Sequence, residues 1–362
     1  MRVLAVNVGS SSVKLSLVEE MRVARAANLP NASGSLDSAA ISGFVDTCGP
    51  VDAVAHRIVH GGDVFKAPVV VDSRVREQLG ELVDLAPLHQ PRSLAGLDLL
   101  ARLLPDSPSF ACFDTAFHAT IPLEASTYAL PAEWRQRWAI RRYGFHGLSH
   151  AWSTGRAADL SGRSALELRI VTCHLGAGAS LAAVSGGVSV DTTMGFTPLE
   201  GLVMATRSGS VDPGLLLWLE QRQGMTPEYL ASTLEHESGL LGLAGTSDMK
   251  ALLERRAGGD GDAELAVDVY VHRLRALIAA MVAAMNGIDV LVFTGGVGER
   301  SSEVRHRAAV GLSFLGVALD ESLNAGCRPD AEITAAGASV RTFVVEAHED
   351  IQMASELETT KL

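Results

Sequence analysis

The chain predicts an α/β fold of two duplicated halves with mixed sheets and a cleft between them, and three observations predict it. The run Val-Leu-Ala-Val-Asn-Val-Gly-Ser-Ser-Ser-Val-Lys-Leu-Ser-Leu-Val at 3–18 is an apolar strand, a Gly-Ser turn and an alternating second strand. It returns, altered, at 170–184 as Ile-Val-Thr-Cys-His-Leu-Gly-Ala-Gly-Ala-Ser-Leu-Ala-Ala-Val, with Gly9 aligned to Gly176. Strand-like and helical stretches alternate elsewhere, and 362 residues are too many for one ordinary core. Small residues at a hairpin tip let backbone N–H groups and hydroxyls approach an anion, and two such tips facing each other would clamp a polyphosphate.

In the first half, strand-like runs at 3–8, 13–18, 51–59 and 109–113 alternate with helical stretches at 73–85 and 92–104. Asn28 to Ser42 reads as the loosest, most turn-rich segment. Around 140–150, Arg-Arg-Tyr-Gly-Phe-His-Gly-Leu-Ser-His marks a glycine-broken crossing into the second half, which opens with a helix near 149–160 and then repeats the hairpin. Val267, Val271, Leu274, Ile278, Met281 and Met285 are spaced for an amphipathic helix over 263–286, ended by Asn286-Gly287. A strand from Ile288 to Phe293, a turn at Thr294 to Glu299 and a helix from about Ser301 follow. The tail from Ala347 reads as a final helix with Glu349 and Asp350 near its start.

Hydrophobic residues at 47% and charged residues at 20% place the chain among folded proteins. A net charge of −12 argues against a nucleic-acid surface, which needs clustered Lys and Arg. A small anion is still compatible, because a few arginines inside a cleft set the local potential. Cys48, Cys112, Cys173 and Cys327 have no paired spacing and read as thiols of a reducing compartment. The first residues lack a signal-peptide layout, and the longest apolar stretch, Ala276 to Met285, is too short to span a bilayer. The expectation is a cytoplasmic protein without membrane or nucleic-acid partners.

Each hairpin turn leads into another strand, unlike the strand-to-helix glycine turn of a Rossmann unit, and no Walker A lysine motif is present. A phosphate grip is therefore expected from the hairpin tips, with Ser10, Ser12, Lys14, Gly176 and Gly178, and from the turn with Gly295, Gly296 and Gly298. Lys14 offers a point charge and Asn7 an amide oxygen to a hydrated Mg2+; an ordinary surface turn is the plainer alternative. Arg57 beside Ile58 and Val59 reads as a cation lining a small apolar pocket, or else as an edge-strand arginine held by a carboxylate. Asp114 follows a buried strand, where carboxylates serve catalysis or cap helices. His146 sits between Gly144 and Gly147 in reach of a ligand, and Arg207 stands in a glycine-rich loop with few local partners, or in a loop-to-loop salt bridge.

Seven motifs resemble the acetate kinase (acetokinase) family of the acetate and sugar kinase, Hsp70 and actin superfamily. They are Asn-x-Gly-Ser-Ser-Ser-x-Lys, His-Arg-x-Val-His-Gly-Gly, Leu-Ala-Pro-Leu-His, Phe-Asp-Thr-Ala-Phe-His, Tyr-Gly-Phe-His-Gly, Gly-Phe-Thr-Pro-Leu-Glu-Gly and Thr-Gly-Gly-Val-Gly-Glu. The resemblance implies two actin-like (ribonuclease H-like) domains, 1–143 with 346–362 and 144–345. It implies ATP/ADP and Mg2+ (Mn2+ as a substitute), acetate or acetyl phosphate as substrates, and a homodimer. By the same resemblance Arg57 and Arg207 hold the acyl group and the phosphoryl in transit, His146 stabilises that phosphoryl, His89 and His174 line the site, and Asp114 positions groups around it. Asn7 and Glu349 would mark the Mg2+ site. Asp248, Met249 and Lys250, with Gly296 to Arg300, would border the adenosine, and Val59, Leu88, Phe145 and Pro198 the acetate methyl.

The chain departs from the family pattern at Ala177 and Ala179, where Asn and Ser are usual, at Lys250 and Arg300, and in a shortened region at about 19–50. A carboxylate is ionised at pH 7 and needs no general base, so the task is to overcome repulsion between acetate and triphosphate. The cations for it are Arg57, Arg207, Lys14, Mg2+ and His146 in its protonated form. A propionate or other short-chain acyl kinase, a nucleotide-dependent switch that binds a protein, and a weakly active paralogue are the alternatives.

Overall fold

The computed structural model describes residues 1–9, 12–30, 36–87 and 89–360; Ser10 and Leu88 lie outside the described residues. Two compact units emerge, one of residues 1–119, 145–152 and 348–362, the other of 120–144 and 153–347. Along the chain, 120–144 belongs to the second unit and 145–152 to the first.

The first unit is built on a six-stranded sheet of β1 (Arg2–Val8), β2 (Ser12–Glu19), β3 (Arg22–Pro30), β4 (Ala53–Ile58), β5 (Val69–Val70) and β6 (Ser109–Phe113), in the order β3-β2-β1-β4-β6-β5. The second has β7 (Arg169–Leu175), β8 (Ala179–Ser185), β9 (Val188–Thr192), β10 (Val290–Thr294), β11 (Ala331–Glu332) and β12 (Arg341–Val344), in the order β11-β12-β10-β7-β8-β9. In both sheets three antiparallel strands are followed by two strands parallel to the first, and a two-residue antiparallel edge closes the sheet. The duplicated α/β plan read from the hairpins is therefore the observed one.

Alternation along β1 sends Leu4, Val6 and Val8 to one face, where Ile41 and Val45 of the helix Ser38–Cys48 and Leu99 and Leu100 of the helix Gln90–Leu103 cover them. Val3 and Ala5 go to the other face, under Met353, Ala354 and Leu357 of the helix Glu349–Thr359. In the second unit the long helix Gly261–Ala284, capped by Asp260, buries Val267, Val271, Leu274, Ile278 and Met281. It ends before Asn286 and Gly287, which take φ of +54° and +135°.

One sequence expectation needs correction, and one lies partly outside the described residues. In the segment expected to be loosest, Asn28 to Ser42, residues 28–30 end β3 and 38–42 begin the helix Ser38–Cys48, while 31–35 lie outside the described residues, so it remains an expectation. Gly295 to Gly298 do not form a turn: Gly295–Arg300 is a short helix leaving β10 directly. Glu299 reaches back to accept the Gly295 N–H at 3.0 Å and the Ala347 N–H at 3.1 Å, fixing the start of that helix. All four cysteines are free thiols, with Cys48, Cys112 and Cys173 buried. No helix among the described residues is long and apolar enough to cross a membrane.

Candidate active site

Three neighbouring parallel strands of the first unit end at one edge of its sheet, and period-two alternation decides which terminal residues share a face. Val3 and Ala5 of β1, Ala53 and Ala55 of β4, and Phe110 and Cys112 of β6 pack with the C-terminal helix. Two residues further on come Asn7, Arg57 and Asp114, on that same face. The helix covering the face begins with Glu349. Core packing thus gathers four polar side chains from distant stretches.

Arg57 donates through Nε to Asp114 Oδ1 (3.0 Å) and through Nη2 to Oδ2 (2.6 Å), the paired geometry of guanidinium on carboxylate. Its Nη1 donates to Asn7 Oδ1 (3.2 Å) and lies 3.9 Å from Glu349 Oε2, which accepts from Asn7 Nδ2 at 3.1 Å. The Asp114 side chain is 1% exposed and that of Arg57 17%, so the carboxylate is sealed while the cation keeps an open side. Burial opposes charge on Arg57, but Asp114 and Glu349 outweigh it and hold the proton more tightly than usual. Burial pushes the Asp114 carboxyl up, against the pull of Arg57 and of the His146 main-chain N–H.

That N–H is aimed by constrained backbone. His146 has φ +56°, and a Cβ on Gly147 would fall 2.2 Å from the Asp114 carbonyl oxygen, which accepts the Gly147 N–H at 2.9 Å. Phe145 is buried, its carbonyl accepting from His118 Nε2 (3.1 Å) and its ring edge-on to His60 at 5.5 Å. Burial lowers His60 and His118 to about 4, so both are neutral near pH 7 and act as packing groups.

In the second unit Arg207 lies in the loop before the helix Pro213–Gln223. Its Nε is 2.9 Å from Glu235 Oε2, and its Nη1 donates to the Pro198 carbonyl at 3.2 Å. The salt-bridge alternative is the one the structure contains: Glu235, in the short π-helical turn Thr233–Glu237, supplies a carboxylate across a non-periodic stretch. At the ends of β7 and β10, His174 pairs in register with Thr294. A Cβ on Gly295, which has φ +75°, would come within 3.0 Å of the Leu175 backbone, so the two strand ends approach closely only with glycine there.

The acetokinase family model matches residues 35–355. An acetate kinase from Synechococcus sp. (strain JA-2-3B'a(2-13)) is 49% identical over 306 residues, 84% of this chain and 75% of that protein. The chain belongs to the acetokinase family. Among solved structures of the family's fold, the acetate kinase of Porphyromonas gingivalis is 34% identical with a TM-score of 0.90, covering 99% of each chain. A propionate kinase from Francisella tularensis subsp. tularensis SCHU S4 is 31% identical, also with a TM-score of 0.90, over 98% of each chain.

The other residues expected from the family resemblance fall on both units. Lys14 is exposed and opposite Asn7 across the β1–β2 pair, and the Ser12 carbonyl accepts the Gly9 N–H at 2.8 Å. The second tip closes one residue more tightly, with Gly176 N–H donating to Gly178 O at 3.0 Å. Val59 is half-buried just past β4, His89 precedes the helix Gln90–Leu103, and Pro198 is buried. Asp248 caps the helix Met249–Ala257 by accepting the Lys250 N–H at 2.9 Å, with Met249 buried and Lys250 exposed beside Glu254. Gly296 and Arg300 are exposed on the short helix and Gly298 is buried. Residues missed from sequence are Glu235, Tyr128, Arg142 and Glu200. Arg142 and Glu200 stand beside or inside the family motifs, which was a usable signal; Tyr128 and Glu235 carry no local one.

Proposed function

We propose that this protein is an acetate kinase, transferring the γ-phosphoryl of ATP reversibly to acetate to give acetyl phosphate and ADP by direct in-line attack. The observation that carries this reading is Arg57, a cation locked by a sealed carboxylate with one side open, in a chain of the acetokinase family. A carboxylate nucleophile needs no base, and Asp114 is occupied by Arg57, which suits repulsion relief over proton abstraction. Arg57 and Arg207 neutralise the carboxylate and the phosphoryl in transit, and His146 hydrogen-bonds that phosphoryl. The family resemblance assigns Val59, Leu88, Phe145 and Pro198 to the acyl methyl and His89 to the lining of the site. Ser10, Ser12, Lys14, His174, Gly176 and Gly178 serve the phosphates, while Asp248, Met249, Lys250, Gly295, Gly296, Gly298 and Arg300 border the nucleoside.

Asn7 and Glu349 fit Mg2+: they are hard oxygen donors, few in number, as suits an ion that keeps most of its waters and takes phosphate oxygens. Held by Asn7 and Glu349, Mg2+ would supply neutralisation of triphosphate charge. No cluster of three or more His, Cys, Asp or Glu among the described residues offers a fuller cage. A homodimer is supported by the helix Pro213–Gln223, which buries none of its residues and exposes Leu215, Leu217 and Trp218. Free, buried cysteines support a cytoplasmic setting.

The likeness to a propionate kinase favours a second acyl specificity. One methylene changes binding in an apolar pocket by only about 1–3 kcal/mol, so propionate should turn over measurably even if acetate is preferred. The test is steady-state turnover of acetate, propionate and butyrate with Mg2+ and a panel of phosphoryl donors, trapping acyl phosphate with hydroxylamine. Acetyl hydroxamate formed with ATP is the expected result. ATP hydrolysis with no hydroxamate from any carboxylate would overturn the proposal in favour of a nucleotide switch.

A further inference from the structure

The segment that presents Pro198 to Arg207 is irregular backbone, yet it is bonded at almost every step. Arg142 donates through Nη1 to the carbonyls of Thr192 (3.1 Å), Thr193 (3.2 Å) and Met194 (3.1 Å), and through Nη2 to Glu200 Oε1 (2.8 Å). The other Glu200 oxygen accepts the Tyr128 hydroxyl, whose oxygen in turn accepts the Phe196 N–H at 3.0 Å. The Arg142 guanidinium also lies over the Tyr128 ring, 5.6 Å from its centroid. Burial and the Glu200 carboxylate push the phenol up, so Tyr128 keeps its proton and donates. Between these groups lies Gly195, its carbonyl accepting the Tyr143 N–H at 3.0 Å; a Cβ there would sit 1.8 Å from Glu200 Oε2 and 2.0 Å from the Tyr128 oxygen.

We propose that Tyr128, Arg142 and Glu200 are positioning residues for carboxylate recognition: as one network they hold the 192–200 segment so that the Pro198 carbonyl fixes Arg207 and Pro198 bounds the acyl group. The inference rests on the acyl-kinase reading and deepens it, since it assigns acyl-length selection to side chains other than those that reading places on the substrate. Glu200 has a dual role, because its carboxylate neutralises Arg142 while its second oxygen orients Tyr128. A displacement of about 1 Å in a positioned group costs up to about a hundredfold in rate, so loosening this segment should be visible in turnover.

The test uses the full-length protein with Tyr128→Phe, which removes one hydroxyl, and Glu200→Gln, which removes the charge. Expected for both is a fall of roughly tenfold or more in kcat/KM for acetate with KM for ATP unchanged, and a smaller ratio of acetate to propionate kcat/KM. Glu200→Asp should recover part of the loss. Amide hydrogen exchange over 192–200 should quicken in both variants while the rest of the second unit keeps its protection. Unchanged exchange in a folded Tyr128→Phe protein, or losses shared equally by ATP and all acyl lengths, would overturn the inference. Wild-type turnover separates the two questions: an inactive wild type counts against the acyl-kinase reading, while exchange in the variants still decides whether the network holds the segment.

Discussion

Arg57 and Arg207 carry the same charge on contrasting scaffolds. Arg57 stands at the end of a central strand, its guanidinium paired with a carboxylate that is 1% exposed and a second carboxylate 3.9 Å away. Arg207 stands in a loop, with Glu235 16% exposed beside it and a main-chain carbonyl as its other anchor. The sheet fixes the first cation as a by-product of core packing. The second depends on a polar network that must itself be held. A cation whose position is costly to disturb thus stands in contrast to one that is tunable.

The largest effect should come from breaking the rigid side. Arg57→Ala should lower kcat about a hundredfold or more, and leave Asp114 buried without its partner, at a cost to stability of about 3–5 kcal/mol, less to the extent that the carboxyl takes up a proton. Steady-state kinetics and denaturant unfolding measure both; a variant as stable as wild type would mean that the pair contributes nothing to the fold. On the loop side, Glu235→Gln should cost roughly tenfold in kcat/KM for acetate but less than about 1 kcal/mol in stability, since the pair is partly solvated. Equal stability losses at the two sites would erase the contrast.

The smallest effect sharpens the picture behind Asp114. Burial raises the Glu356 carboxyl to about 7 from an ordinary 4.5; a hydrogen bond from Gln352 opposes this and the charge of Asp114 adds to it. Because the folded state holds this proton more tightly than the unfolded one, its contribution is fully present below pH 4.5, is lost as pH rises to about 7, and stays lost above. Glu356→Gln should therefore raise Tm more at pH 8 than at pH 5. The same gain at both values would show that Glu356 titrates normally.

What was legible in the sequence follows burial. Both hairpins and the helix Gly261–Ala284 announce themselves because their apolar residues alternate or recur with a core behind them. β3 was invisible because none of its residues is fully buried, and the helix Pro213–Gln223 because it has no inward face to create a period. Asn7, Arg57 and Asp114 could be picked out one by one, since each ends an apolar run. Glu235 could not, because its partner lies across a stretch without periodicity, and the Gly295–Arg300 helix was hidden by glycines whose capping partner, Glu299, sits within the same motif.

Gly195 sets a boundary for anyone wishing to redesign acyl preference. With two oxygens occupying the volume where even a methyl would go, no side chain can be introduced at that residue without dismantling the Tyr128–Glu200 pair. Libraries aimed at longer or branched acids should therefore leave Gly195 untouched.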